Sequence, residues 1–312
     1  MVGSFPDRNQ SWDVENRSMK TGRRLLFCML FCCFLDLAAA PAPRASDLVI
    51  EAQVNVPYVV LFGFGTYDVG GLSVASYRVP IAHTFTLGEG KEPLRLKFTG
   101  YIGYSHADFE TSLLGPKLTA SQDYIFLLPQ AELKIPLLEG WLLKPYLAAG
   151  AGYAFNGYSK LEGLPKQAVR EGYDFIYAAG ISSLYEFDLE RFSMSFGARL
   201  GWAEDVQLGD GQDQGYATIQ AGVEVRHPLG VNLLGRPLDL AGSFIYYYFF
   251  PAAQFTIPGK HSLEISNQYE FGTTLGFAEP TELWFLDNPR IGASYRFGDG
   301  LTGFRVNLGF PF

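Results

Sequence analysis

Beyond residue 46, apolar and polar residues alternate with a period of two along most of the chain. The pattern is plainest at the end of the sequence. There Phe304, Val306, Leu308, Phe310 and Phe312 alternate with Gly303, Arg305, Asn307 and Gly309. Just before, Ile291, Ala293, Tyr295 and Phe297 alternate with Gly292, Ser294 and Arg296. Phe192, Met194, Phe196, Ala198, Leu200 and Trp202 oppose Ser193, Ser195, Gly197, Arg199 and Gly201. Leu263, Ile265, Tyr269, Phe271 and Leu275 are expected on one face, with Glu264, Ser266, Gln268 and Glu270 on the other. Successive side chains leave a strand on opposite sides, so this period predicts strands with one apolar face. No stretch sustains helical periodicity, and no apolar run beyond residue 46 is long enough to span a membrane as a helix.

Twelve such segments are marked by the alternation, at roughly 48–64, 72–87, 94–107, 123–137, 143–156, 173–187, 191–203, 216–226, 238–250, 262–277, 289–297 and 301–312. Tight even-numbered joins (Gly88 to Pro93, Leu138 to Leu142, Asp188 to Glu190) alternate with longer polar ones (Asp108 to Gln122, Gly157 to Gly172, Glu204 to Gly215, Pro251 to His261). Gly230 to Pro237 and Ala278 to Asn288 break the rule, being long on the short side. Short turns at one rim and long loops at the other predict an all-β fold: a transmembrane, antiparallel, up-and-down β-barrel of about twelve strands. A soluble two-sheet protein would alternate too. Here, however, the apolar face ends in aromatics (Tyr104, Tyr153, Phe155, Tyr173, Trp202), as membrane-interface girdles do, and the other face is small or polar.

Composition agrees. Only 18% of residues are charged and 15% are aromatic, with 35 Gly, against roughly 25% charged in soluble domains. The 32 Asp+Glu against 24 Lys+Arg give a net charge of −8, which argues against a nucleic-acid partner. Met19, Lys20, Arg23 and Arg24, the apolar run Leu25 to Leu37 and Ala38-Ala39-Ala40 have the layout of a secretory signal peptide. The expected organisation is therefore an upstream extension at 1–18, a signal peptide at 19–45 and the barrel at 46–312. Cys28, Cys32 and Cys33 all fall in the signal, so residues 46–312 hold no disulfide or thiolate site. No residue pattern requires a cofactor or metal.

The ending Phe304-x-Val306-x-Leu308-x-Phe310-x-Phe312 resembles the C-terminal assembly signal of Gram-negative outer-membrane proteins. Pro311 departs from the usual pattern. The resemblance implies residence in the outer membrane, contact with its lipid and lipopolysaccharide, and recognition of the last strand by the barrel-insertion machinery. More narrowly, the tail from Asn288-Pro289-Arg290-Ile291-Gly292 through Gly309-Phe310 is similar to the solitary autotransporter-like barrels, a family without a secreted passenger. That match implies a fold and little chemistry.

Parity places Arg78, Arg95, Lys97, Lys134, Lys144, Arg199, Arg226, Arg296 and Arg305 on the inner face, with Glu51, Glu132, Asp174, Glu186, Glu224, Asp239, Glu264 and Glu270. These charges either pair across a filled barrel or line a narrow aqueous channel. Twelve strands lie between the filled eight-stranded barrels and the wide porins, and inward glycines (Gly103, Gly150, Gly152, Gly180, Gly197, Gly201, Gly222) leave space. The leading expectation is a porin-like channel for small polar or ionic solutes. Its rival is a closed autotransporter-like barrel with a structural or adhesive role and no transport.

A rim-located hydrolase is a third reading, and no enzyme is expected. Ser105-His106 and His261-Ser262 are adjacent, so their side chains point to opposite faces of a strand. His106 and Asp108 share a face, but that face follows Tyr104 toward lipid. Two loops carry charge. Glu204-Asp205 and Asp210-Gly211-Gln212-Asp213 offer oxygen ligands for Ca²⁺ without the spacing of a helix-loop-helix site, and solvation is the plainer reading. Lys160, Lys166 and Arg170 could meet lipopolysaccharide phosphates.

Overall fold

The structure, a computed structural model, describes residues 63–312 apart from 91–92, 113–116, 164, 169–170, 209–212, 256–262, 280–281, 284–285 and 288–289. The expected extension, the signal segment with its cysteines, and Glu51 lie outside the described residues. Among the described residues there is no helix, and twelve long strands follow one another. They are β1 (Phe64–Val69), β2 (Leu72–Leu87), β3 (Leu94–Ser112), β4 (Lys117–Leu138), β5 (Trp141–Leu161) and β6 (Gly172–Leu189). Then come β7 (Phe192–Gln207), β8 (Gln214–Leu233), β9 (Arg236–Phe255), β10 (Leu263–Phe277), β11 (Arg290–Gly298) and β12 (Leu301–Asn307). Each pairs antiparallel with its neighbour in sequence. The register from Phe64↔Val306 to Val69↔Leu301 joins β1 to β12 and closes the cylinder. Closure satisfies the backbone groups that an open sheet would leave at its edges, the condition for strands in hydrocarbon.

Burial is inverted relative to a soluble protein. Tyr77, Val79, Ile81 and Phe85 on β2, Phe98, Ile102 and Tyr104 on β3, and Phe304, Val306 and Leu308 at the end of the chain are exposed. Glu224, Glu270 and Arg296 are buried at 1%. The outer surface is thus apolar and the core lies in the lumen. Aromatic contacts join neighbouring strands on this outer surface, with ring centroids 4.6 Å apart for Tyr153–Tyr173 and 4.9 Å for Tyr177–Trp202. Past Tyr104 the outward residues of β3 turn polar, at His106, Asp108 and Glu110.

Most segment centres fall where the alternation predicts, and the differences lie at the ends. Residues 48–62 of the first expected segment lie outside the described residues; the first described strand, Phe64–Val69, turns through Gly70-Gly71 into β2. The expected long join at Gly230 to Pro237 is strand on both sides of a two-residue turn, Leu234-Gly235, with φ of 53° and 77°. Both values are those of the type I′ turn, whose twist matches that of the strands it joins. The polar stretches after Ala107 and Asn156 extend β3 and β5, so β4 reaches 22 residues, against about 9–11 needed to cross a bilayer. We call the end where β1 begins and β12 finishes the terminal rim, and the opposite end the loop rim.

Candidate functional site

The lumen is filled at three levels. At the loop rim, Val69, Leu72, Phe109, Leu118, Phe255 and Ile265 point inward and belong to one apolar cluster. These positions come from the outer ends of six strands and form an apolar layer at this mouth.

The middle level is ionic. Glu270 Oε2 accepts from Arg296 Nε at 3.1 Å and Nη2 at 2.8 Å, and Glu270 Oε1 lies 3.1 Å from Arg305 Nε. Tyr247 donates its hydroxyl to Glu270 at 2.9 Å, accepts from Arg296 Nη2 at 3.0 Å and stacks its ring under the same guanidinium. Arg305 also donates to Ser294 Oγ at 3.1 Å. The groups come from β9 to β12, whose ladders put Glu270 directly opposite Arg296. Arg78 lies over the Tyr101 ring at 4.8 Å.

Toward the terminal rim, Arg226 Nε donates to Glu224 at 2.6 Å and its Nη2 lies 3.5 Å from Glu186. Arg290 pairs with Asp239, both buried. Arg95, Lys97 and Lys134 gather with Glu132 on adjoining stretches of β3 and β4, while Lys144 is buried on β5. The last residues then cross the lumen. The strand ends at Asn307, and Gly309, at φ 124°, turns the chain inward. Only Gly tolerates that dihedral without steric cost. The Phe312 ring settles on Gly197 and Gly222, which face each other on β7 and β8, and Arg199 donates to the Pro311 carbonyl from between the Tyr146 and Phe312 rings.

Parity thus locates most of the sequence-predicted lumen residues: Arg78, Lys97, Glu132, Lys134, Asp174, Glu186, Arg199, Glu224, Arg226, Glu270, Arg296 and Arg305 point inward. Arg95 shares their parity but is exposed at the rim. Glu264 is a correction. It is exposed, while Ile265, expected outside, is fully buried. The register of β9 against β10 shifts between Tyr248 and Ala253, and the backbone N–H groups of Ser266 and Asn267 both donate to Asp299 Oδ2, at 2.9 and 2.6 Å. Two consecutive amides on one acceptor mark an irregularity that exchanges the faces of the residues beyond it. Phe310 and Phe312 are a second correction. Of the five residues in the ending motif, Phe304, Val306 and Leu308 face out, but Phe312 is 6% exposed inside.

Glycine signals the reverse of what was expected. Rings occupy the places that the missing side chains leave: Phe126 over Gly103, Tyr124 over Gly152, and Tyr146 over both Gly180 and Gly201. Arg290 and Tyr247 were missed as lumen residues, although their parity with Arg296 and Asp239 would have placed them there. Outside the barrel, His106 bridges Asp108 and Asp123 at 2.7 Å each, and Asp123 also accepts from Tyr104 at 2.7 Å and Asn156 at 2.9 Å. Ser105 points the other way and donates to Ser76. Of the two charged loops, Lys166 lies over the Tyr158 ring at 3.5 Å, and Asp205 sits on β7 facing inward.

A closed, twelve-stranded, antiparallel up-and-down barrel is a fold this chain shares with two autotransporter barrels of known structure. The chain is similar in structure to the translocator domain of autotransporter NalP from Neisseria meningitidis, with a TM-score of 0.53 and 14% identity over 80% of this chain and 85% of that one. It is also similar to the transport unit of the autotransporter AIDA-I from Escherichia coli, with a TM-score of 0.52 and 10% identity over 79% and 88%. At these identities the likeness is one of fold. No family model and no curated protein matches the sequence.

Proposed function

We propose that the chain is an integral barrel of the bacterial outer membrane, of the autotransporter-like kind, and that it works closed, as an anchor that holds its loop-rim segments at the cell surface. The observation that carries this reading is the filling of the lumen at every level: apolar at the loop rim, ionic in the middle, and Phe312 on its glycine seat. It favours the closed barrel over the small-solute channel that strand number and inward glycines suggest. The apolar outer surface and the fold of the two autotransporter barrels support the membrane setting. Lipid and lipopolysaccharide are the partners of that surface, and the outward Phe304, Val306 and Leu308 are the side chains that the insertion machinery would read. The proposal includes no catalysis, since Ser105 and His106 stand on opposite sides of the wall.

The test is a planar-bilayer recording of purified, refolded residues 46–312 in molar KCl. The expected result is a heat-modifiable, inserted barrel without discrete conductance steps. Steady, ion-selective steps would overturn the closed reading in favour of the channel.

A further inference from the structure

We infer that Asp174 and Asp205, with buried oxygens of Gln214 and Tyr124, form a Ca²⁺ site in the lumen beneath the loop rim. Asp205 is 0% exposed. Its Oδ1 accepts from the Gln214 backbone N–H at 3.1 Å, while its Oδ2 makes no hydrogen bond among the described residues. Gln214 is the ladder partner of Asp205, and its side-chain Oε1 is likewise buried without a donor among the described residues. Tyr124 places its hydroxyl over Gly152, the ladder partner of Asp174, where it interacts with that carboxylate. Asp174, 5% exposed, stands two residues before Ile176, the partner of Asp205 on β6. The two carboxylates are therefore diagonal neighbours on one face, a separation of about 7–8 Å or less between β-carbons.

The contrast with the rest of the lumen is what points to a cation. Glu224, Asp239 and Glu270 are each met by an arginine. Among the described residues, the charged side chains acting on Asp205 are Asp174 and Asp213, both acids. A carboxylate is acceptor-only when ionised, and so is an amide oxygen, so neither can satisfy the other. The donor set is all oxygen, with two carboxylates, one amide and one phenol. Calcium suits such a flexible set, completing its six to eight ligands with water, whereas Mg²⁺ demands a near-ideal octahedron and Zn²⁺ prefers nitrogen and sulfur.

The experiment refolds residues 46–312 in calcium or in EDTA, then follows Ca²⁺ by calorimetry and Tb³⁺ by luminescence sensitised through Tyr124. The expected result is one saturable site with a Kd of about 10⁻⁴–10⁻³ M, the range of extracellular modules. Asp205→Asn and Asp174→Asn should each weaken it by about tenfold or more, while both still migrate as heat-modifiable barrels in EDTA. If Asp205→Asn does not fold, Asp174→Asn alone decides. Absence of Ca²⁺ binding by the wild-type protein up to about 10 mM would overturn the site and leave a shared proton as the charge balance. Undiminished binding in a folded Asp174→Asn would overturn it equally, by placing the ion elsewhere.

Discussion

Glu270 holds two arginines and a tyrosine at once, and its own side chain is 1% exposed. Removing it leaves Arg296 and Arg305 close together in a buried, weakly screened space, a situation that costs about 3–5 kcal/mol when one partner of a buried pair is lost. Glu270→Gln should therefore lower the urea midpoint of unfolding in lipid vesicles by that amount of stability. Glu270→Met combined with Arg296→Met should cost less than the two single changes together, because the pair shares one desolvation penalty. All three charges of this centre were legible in the sequence from parity alone. The inward place of Tyr247 followed from the same parity, but its contact with Glu270 did not, because that depends on β9 standing beside β10 with Tyr247 opposite Gln268. Glu264 was misread for a related reason: the acceptor that bends its strand, Asp299, is brought in by the turn before β12, 32 residues from Asn267. No local periodicity carries that information.

Turns and the tail decide how the elements fit. Leu234 occupies a left-handed position at φ 53° and is 84% exposed, so it carries backbone strain without a packing return. Leu234→Asn should stabilise the barrel by about 1 kcal/mol, because Asn tolerates that region where a branched apolar residue does not. The same thermal or urea assay checks it. The tail is tested by cross-linking. Residues 46–312 contain no cysteine, so Gly197→Cys with Phe312→Cys should form one oxidant-dependent disulfide that shifts mobility of the folded protein, and Gly103→Cys with Phe312→Cys should not. Strand cores were readable because an apolar outer face and a tightly packed lumen alternate along them. Strand ends were not, since toward the loop rim polar residues serve both loops and paired strands, as the continuation of β3 to Ser112 shows. The inward turn at Gly309 was likewise hidden, because Phe310 and Phe312 keep the alternation of an outward face in sequence while leaving the strand in space.

At the scale of the whole molecule, the closed reading and the channel reading diverge over Arg199. In a channel, Arg199→Ala would shift ion selectivity. In the closed barrel the same change removes the donor to Pro311 and the guanidinium between two rings, so the expected outcome is a less heat-resistant barrel that still passes no current. Bilayer recording and heat modifiability on one preparation separate the two. Barrel architecture was legible from the repeated period and the strand count, but the state of the lumen was not. Whether a glycine is a gap or a seat depends on which ring leans over it from another strand. Finally, the ladder that closes the cylinder joins β1 to β12, whose partners are separated by nearly the whole described chain. Sheet growth from either end therefore leaves two hungry edges until the last strand arrives, each able to recruit another copy. Folding of this protein is a race between self-closure and self-association. Its outcome should depend on how dilute the chains are kept before the final hairpin meets the first.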